Sequence, residues 1–316
     1  MPSHWNANRS PSGLRCPDTD NFPVVLSRKG YSQELAEKAR RENFPVASRL
    51  LPRRHRDHLM AVYGFARSVD DVGDEEPPGD RLRLLDEFEA DLARLYDGQA
   101  ARLRPVRALA RTVRECSIPA EPFRRLIEAN RRDQSVTRYE TFDDLLGYCE
   151  LSANPVGRLV LHVFGEVSEP RLALSDRVCS ALQIIEHCQD VGEDHRRGRV
   201  YLPQEDLRRA GCPAGHLAAP ATSPQVRAVV AVQAARAAKL LNEGEAIVAS
   251  LAGFARTAVA GYVAGGHATL AALDGARYDV LGRAVRPRRL RLLTAWARVL
   301  MTTRPSDAAL QRLPSA

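Results

Sequence analysis

The chain has 316 residues, 44% of them hydrophobic and 27% charged, which suits a globular body with a sizeable core, in one large domain or two. Its formal charge of +7 suits an anionic partner, but the arginines are spread over many segments with no nucleic-acid-binding motif, so nucleic acid gives way to a membrane surface or a diphosphate. No run of eighteen apolar residues exists to span a membrane, and the six cysteines contain no CxxC pair, which excludes a metal cluster or a disulfide framework.

Ala, Leu, Arg and Glu dominate, with helical spacing, so the expected fold class is all-α. Residues 1–30 are rich in Pro, Ser, Asn and Arg without periodicity and read as a flexible leader. They hold no secretory apolar region, which predicts a cytoplasmic protein with free thiols. A helix is expected from near Ser32, with Glu34 and Glu37 early and Lys38, Arg40 and Arg41 late, as the macrodipole favours. It meets Asn43-Phe44-Pro45, and Pro52 closes Ser48-Arg49-Leu50-Leu51.

The next helix, about Arg54 to Asp74, carries the apolar run Met60 to Ala66 and then Arg67-Ser68-Val69-Asp70-Asp71-Val72-Gly73-Asp74-Glu75. Tyr63, Arg67, Asp70 (or Asp71) and Asp74 recur at steps of three and four and share one face. Carboxylates crowded on one face repel each other, and a cation, most naturally Mg²⁺, neutralises them. The plain alternative is a solvated acidic patch before a loop at Glu76-Pro77-Pro78-Gly79.

Residues 80–96 read as an amphipathic helix with Leu82, Leu84, Leu85, Phe88, Leu92 and Leu95 inward. Helices over 103–116 and 120–133 follow, split by Ser117-Ile118-Pro119, and then an irregular piece holds Tyr139. A helix over 141–164 is expected to kink at Pro155, within Ser152-Ala153-Asn154-Pro155-Val156-Gly157. A second acidic helix spans about 175–195, and on it Gln183, Glu186, Asp190 and Asp194 step along one face. Two such faces opposed across a bundle make a cage of hard oxygen ligands suited to Mg²⁺ and a diphosphate. The loop His195-Arg196-Arg197-Gly198-Arg199-Val200-Tyr201-Leu202-Pro203 crowds cations beside them, either as a salt-bridge cluster or as a diphosphate clamp. Long Ala-rich helices are expected over 224–250 and 252–274. The basic stretch 283–300 reads as a helix packed on the bundle with a basic outer face, with contact to anionic lipid as the alternative. No domain boundary is visible after residue 30, so residues 31–300 read as one helical domain and 301–316 as a flexible tail.

With both acidic motifs placed, residues 30–285 resemble the squalene/phytoene synthase family of head-to-head trans-prenyl synthases. The resemblance rests on Asn43-Phe44 with Leu50-Leu51-Pro52, on Tyr63, Arg67, Asp70 and Asp74, and on Tyr148-Cys149 before the small-residue kink. Gln183, Asp190, Asp194 and Gly198-Arg199-Val200-Tyr201-Leu202-Pro203 complete it. Glu42 to Ser48 and Ser152 to Gly157 look like the hydroxysqualene synthase (HpnC-type) branch of bacterial hopanoid biosynthesis.

That resemblance implies an isoprenoid-synthase-like helical bundle with a central apolar cavity. It implies presqualene diphosphate as substrate and hydroxysqualene as product, released without reduction, with hopanoid-pathway enzymes and the inner face of the membrane as partners. Sister enzymes instead condense two prenyl diphosphates to presqualene diphosphate, squalene or phytoene. The implied metal ligands are Asp70, Asp74, Glu186, Asp190 and Asp194. Glu186 stands where the group often has Asn and adds a negative charge, so the number of Mg²⁺ ions stays open. Substrate contacts fall to Asn43, Phe44, Arg67, Gln183, Arg199 and Tyr201. Catalytic roles fall to Tyr63, Arg67, Tyr148 and Arg199, with Asn154 either holding a water or making a structural hydrogen bond. Phe44, Leu159, Val163 and the helix carrying Ile184 and Ile185 are the expected cavity walls.

Overall fold

Leu59, Val62, Phe65, Val69 and Val72 recur at helical steps and are all buried in helix α1, Arg53–Glu75. The computed structural model describes Leu35, residues 51–282 and residues 284–303. Asn43, Phe44, Arg283, the leader, the helix from Ser32 and the tail from residue 304 lie outside the described residues.

Helix α1 stops because Glu76 is extended ahead of Pro77. Helix α2, Pro78–Tyr96, starts on Pro78, since the first helical position needs no N–H donor. The expected loop at residues 76–79 is therefore shorter. Leu84, Leu85, Phe88 and Leu92 are buried as expected, whereas Leu82 is 51% exposed. At 100° per residue it lies roughly 100° from the centre of the buried arc. Helices α3, Arg104–Glu115, and α4, Glu121–Arg132, complete this half. Phe65 sits edge-on to Phe88 and Phe123 at its centre, with ring centroids 5.9 and 5.0 Å apart.

The expected kinked helix is two helices. Helix α5, Phe142–Ser152, opens on a capping box between Thr141 and Asp144. It ends at Ala153, and α6, Asn154–Phe164, starts there with Pro155 in its first turn. Helix α7, Glu169–Gln189, begins earlier than its apolar pattern suggests and packs against α5 and α6. It breaks at Asp190 (φ −102°, ψ 14°) before α8, Val191–Arg196. A short helix α9, Gln204–Arg209, and a 3-10 turn, Ala214–Ala218, lead to α10, Pro224–Gly244. The chain turns at Glu245, so the expected helix over 224–250 divides into α10 and α11, Ala246–Ser250. Helices α12, Gly253–Gly275, and α13, Arg289–Thr302, follow.

Helix α7 is the hub, with α10, α11 and α12 on its other sides. Gly244 lets α10 approach, because a Cβ there would meet the Leu174 carbonyl at 2.9 Å. Among the described residues no strand forms. The isolated parallel bridge Arg138–Val200 instead ties the irregular piece to the cationic loop, with the Val200 N–H donating to the Thr137 carbonyl at 2.8 Å. The fold class is all-α, as composition and periodicity suggest.

Candidate active site

The C-terminal ends of α1 and α7 bring the two acidic motifs to one polar recess. Asp70, Asp74, Glu186, Asp190 and Asp194 line it, with Arg67, Gln183, Tyr148, Arg199 and Tyr201. Asp71 turns elsewhere: it is buried against Arg67, whose Nε lies 2.8 Å from its Oδ1. Of the two, Asp70 is the one that lines the recess.

Asn130 on α4 fixes Asp70, its Nδ2 donating to Oδ1 at 2.9 Å. The Asn130 side chain reaches this position only because residue 73 is glycine; a Cβ there would overlap Asn130 Oδ1. Gly73→Ala should therefore push Asn130 off Asp70. The expected cost is about 1–3 kcal/mol in urea unfolding, the usual range for overpacking, together with reduced turnover.

Asp70 is exposed at the recess, yet the protein packed around it raises its carboxyl to about 6 by desolvation, with Asn130 and Arg67 opposing. Asp190 is also raised to about 6, by burial first and then by the charges of Asp194 and Glu193. The charge of Arg67 near Asp70 and that of Arg286 near Asp190 do not offset these effects. Asp74 is better supplied: Arg199 lies 2.6 Å from Oδ1 and Arg197 3.3 Å from Oδ2.

Behind the carboxylates stands an aromatic cluster around buried Asp133. Tyr148 donates to Asp133 Oδ2 at 2.6 Å and Tyr201 to Oδ1 at 3.2 Å. His187 stacks on Tyr201, centroids 3.8 Å apart, and its Nδ1 lies 3.8 Å from Asp194 Oδ2. Burial raises the Asp133 carboxyl, with the two tyrosine hydroxyls and the Arg199 charge opposing. Tyr148 and Tyr201 thus act on the recess through a carboxylate that sequence reading missed. Asp133 and Asn130 belong to the recess although they stand on neither motif's helix, whereas His187 and Arg197 continue the second motif's steps, four residues after Gln183 and three after Asp194. The sole cue for Asp133 was its place after Arg131-Arg132 at a helix end.

An apolar chamber continues from the recess, and Arg67, Asp70, Ser152, Gln183 and Glu186 line both. Its walls include Leu59, Val62 and Tyr63 of α1, Val160 and Leu161 of α6, Leu182 of α7 and Val259 and Tyr262 of α12. The central apolar cavity is present, and the helix carrying Ile184 and Ile185 lines it through Val178, Cys179 and Leu182, but Leu159 and Val163 are not among its walls, nor are the two isoleucines themselves. They pack into the flanking cores, and their helical neighbours face the chamber instead. Asn154 lines neither space. It is 5% exposed, and its Oδ1 accepts from Ser180 Oγ at 2.9 Å, which is the structural hydrogen bond of the two alternatives.

Hard oxygen donors carrying negative charge are the chemistry a divalent cation needs. Among the described residues, however, no three carboxylate, imidazole or thiol groups converge on one cation position. Mg²⁺ is commonly bound by only one or two carboxylates, with phosphate oxygens and water completing its shell.

Residues 38–294 match the model of the squalene/phytoene synthase family. The chain is 40% identical over 215 residues to a Rhodopseudomonas palustris protein named hydroxysqualene synthase, covering 67% of this chain and 72% of the relative. The crystal structure of squalene synthase HpnC from Alicyclobacillus acidocaldarius is 41% identical, with a TM-score of 0.69 over 81% of this chain and 97% of that one. A dehydrosqualene synthase in complex with ligand, 24% identical with a TM-score of 0.76, covers 86% of this chain and 97% of its own and shares the fold.

Proposed function

We propose that this chain, which belongs to the squalene/phytoene synthase family, is a hydroxysqualene synthase that turns presqualene diphosphate and water into hydroxysqualene and diphosphate. The observation that carries the reading is the continuity of the two spaces. A recess of carboxylates and arginines opens through Arg67, Asp70, Ser152, Gln183 and Glu186 onto an apolar chamber. That shape matches a ligand with a multiply charged head and a long hydrocarbon body. The name of the Rhodopseudomonas palustris relative supports the choice of product.

Asp70, Asp190, Asp194 and Glu186 are the groups that would hold Mg²⁺, with Asp74 once its arginines turn away. When bound, Mg²⁺ supplies positive charge to the departing diphosphate. Arg199, Arg197 and Arg67 supply charge-assisted hydrogen bonds to the same group, so the substrate C–O bond breaks with its electron pair on the diphosphate. The cation left behind rearranges against the apolar walls, where bulk water is excluded. Tyr63 offers it a π-face from α1. A single water then forms the new C–O bond and passes its proton to the released diphosphate. Asn154 lies outside the chamber, and the hydroxyls that line it, on Tyr63, Ser152, Ser175 and Tyr262, are the groups that would meet that water.

Purified protein with Mg²⁺ and presqualene diphosphate should yield hydroxysqualene by mass spectrometry. In a parallel reaction farnesyl diphosphate alone should remain unconverted. Presqualene diphosphate, squalene or a phytoene-type product from prenyl diphosphates alone would replace this reading with the condensing one.

A further inference from the structure

From residue 280 to residue 303 the sequence contains Arg283, Arg286, Arg288, Arg289, Arg291 and Arg298 and no Asp or Glu. Most of this stretch is α13, whose two faces differ. The inner face is fastened to α12: Trp296 Nε1 donates to the Thr257 carbonyl at 3.1 Å, and Val299 is buried. Arg256 of α12 donates to the carbonyls of Leu300 and Thr303, both at 2.7 Å.

The outer face is not the polar surface that a solvated helix presents. Leu290 is 73% exposed, Leu293 57% and Met301 69%. With exposed Ala297 they form one stripe at helical steps. Phe254, 48% exposed, borders the same end of the pair, two residues from Arg256. Exposed Arg289, Arg291 and Arg298 flank the stripe. The other exposed large hydrophobics, Leu82, Val167 and Val232, stand on separate elements and need no such explanation.

We propose that α13 docks this protein onto an anionic lipid bilayer, with Leu290, Leu293 and Met301 entering the acyl boundary and the flanking arginines meeting lipid phosphates. An apolar stripe edged by cations is the arrangement that rests in a bilayer interface. A second copy fits poorly, because a symmetric contact through this face would set the arginines of both copies against each other. Nucleic acid would use the arginines but leave the apolar stripe without a function. Docking also gives α12 a place in the reaction. Its Val259 and Tyr262 line the chamber while Arg256 and Thr257 hold α13, so one helix separates the bilayer from the hydrocarbon site.

The test is sedimentation of the full chain with vesicles, which needs no substrate and stands apart from the reaction assay. The protein should pellet with vesicles of equal parts phosphatidylglycerol and phosphatidylcholine, less so at high salt, and stay in solution with phosphatidylcholine alone. The triple substitutions L290S/L293S/M301S and R289E/R291E/R298E touch only exposed side chains. Each should lower partitioning on the order of 100-fold and leave the circular dichroism spectrum and the turnover in detergent unchanged. Wild-type protein left in solution with anionic vesicles would overturn the proposal. So would binding that neither triple variant weakens, or a dimer in light scattering that L290S/L293S/M301S dissolves.

Discussion

Asp190→Asn is expected to stop turnover and, in the absence of Mg²⁺, to make the folded protein more stable. The charge of Arg286 acts on Asp190 but does not offset its burial and its acidic neighbours. Its carboxyl is pushed up to about 6 by burial and by Asp194 and Glu193, against an ordinary value of 3.8. The unfolded chain therefore releases this proton at lower pH than the folded one. The group's favourable share of stability is full below about pH 4, and it is lost as pH rises through about 6. At pH 7.5 the buried charge costs about 1–3 kcal/mol, the upper figure from 1.36 kcal/mol per pH unit and the lower allowing for partial exposure. Asparagine keeps the shape without the charge, and it is well tolerated at the junction where Asp190 caps α8. Thermal melts should show Asp190→Asn above wild type at pH 7.5, with the gap closing near pH 4. Added Mg²⁺ should raise the wild-type melting temperature at pH 7.5 and much less at pH 5, where protons compete, and should barely move the variant. Turnover of presqualene diphosphate should fall about 10²–10³-fold, the range seen when one charge-stabilising group is removed. A variant that is both less stable and fully active would remove Asp190 from the cation site.

The all-α class and the two acidic faces were legible because both are local: composition fixes helix preference, and steps of three and four define a face within one helix. The break at Asp190 was not, since neither Gly nor Pro marks it and Gly192 lies inside α8. The chamber walls on α6 were misassigned by about one residue for a related reason. Both α6 and α7 are buried on several sides, Leu159 facing one core and Val160 and Leu161 the chamber. Periodicity identifies an apolar stripe only where another stripe is polar, and 100° per residue then separates a wall from its neighbour. Asn130 and Asp133 enter the recess from α4 and its C-terminal end through contacts that no spacing in the chain records, whereas His187, four residues after Gln183, was within reach of the same stepping argument. The basic stretch was recognised as a helix, yet its outer apolar stripe showed only once Trp296 and Val299 had been placed on α12.

Arg199→Ala should move stability in the opposite direction to Asp190→Asn while also costing activity. Arg199 is 11% exposed and holds Asp74 Oδ1 at 2.6 Å, with Asp74 24% exposed. Its charge also opposes the raised Asp133 carboxyl. Removing it leaves Asp74 to the more exposed Arg197 and leaves Asp133 without its cation. For a pair this buried the loss is about 3 kcal/mol at most, reduced by the water that reaches Asp74. Urea unfolding should show a lower midpoint, and Asp74→Ala added to Arg199→Ala should cost less than the two single changes summed. On the diphosphate, loss of the planar donor should lower kcat/KM about 10²–10³-fold. Arg199→Lys should restore only part of it, because a point charge replaces a fork. Mg²⁺ affinity separates a diphosphate clamp from a merely structural salt bridge. In the resting protein Arg199 occupies the carboxylate that a cation would use, so Arg199→Ala should bind Mg²⁺ more tightly than wild type without substrate. With presqualene diphosphate present, that advantage should vanish, because the wild-type arginine then has a phosphate to hold. Tighter Mg²⁺ binding together with slower turnover is the combination that assigns Arg199 to the leaving group. Weaker Mg²⁺ binding in both states would instead place it as a support for the carboxylate.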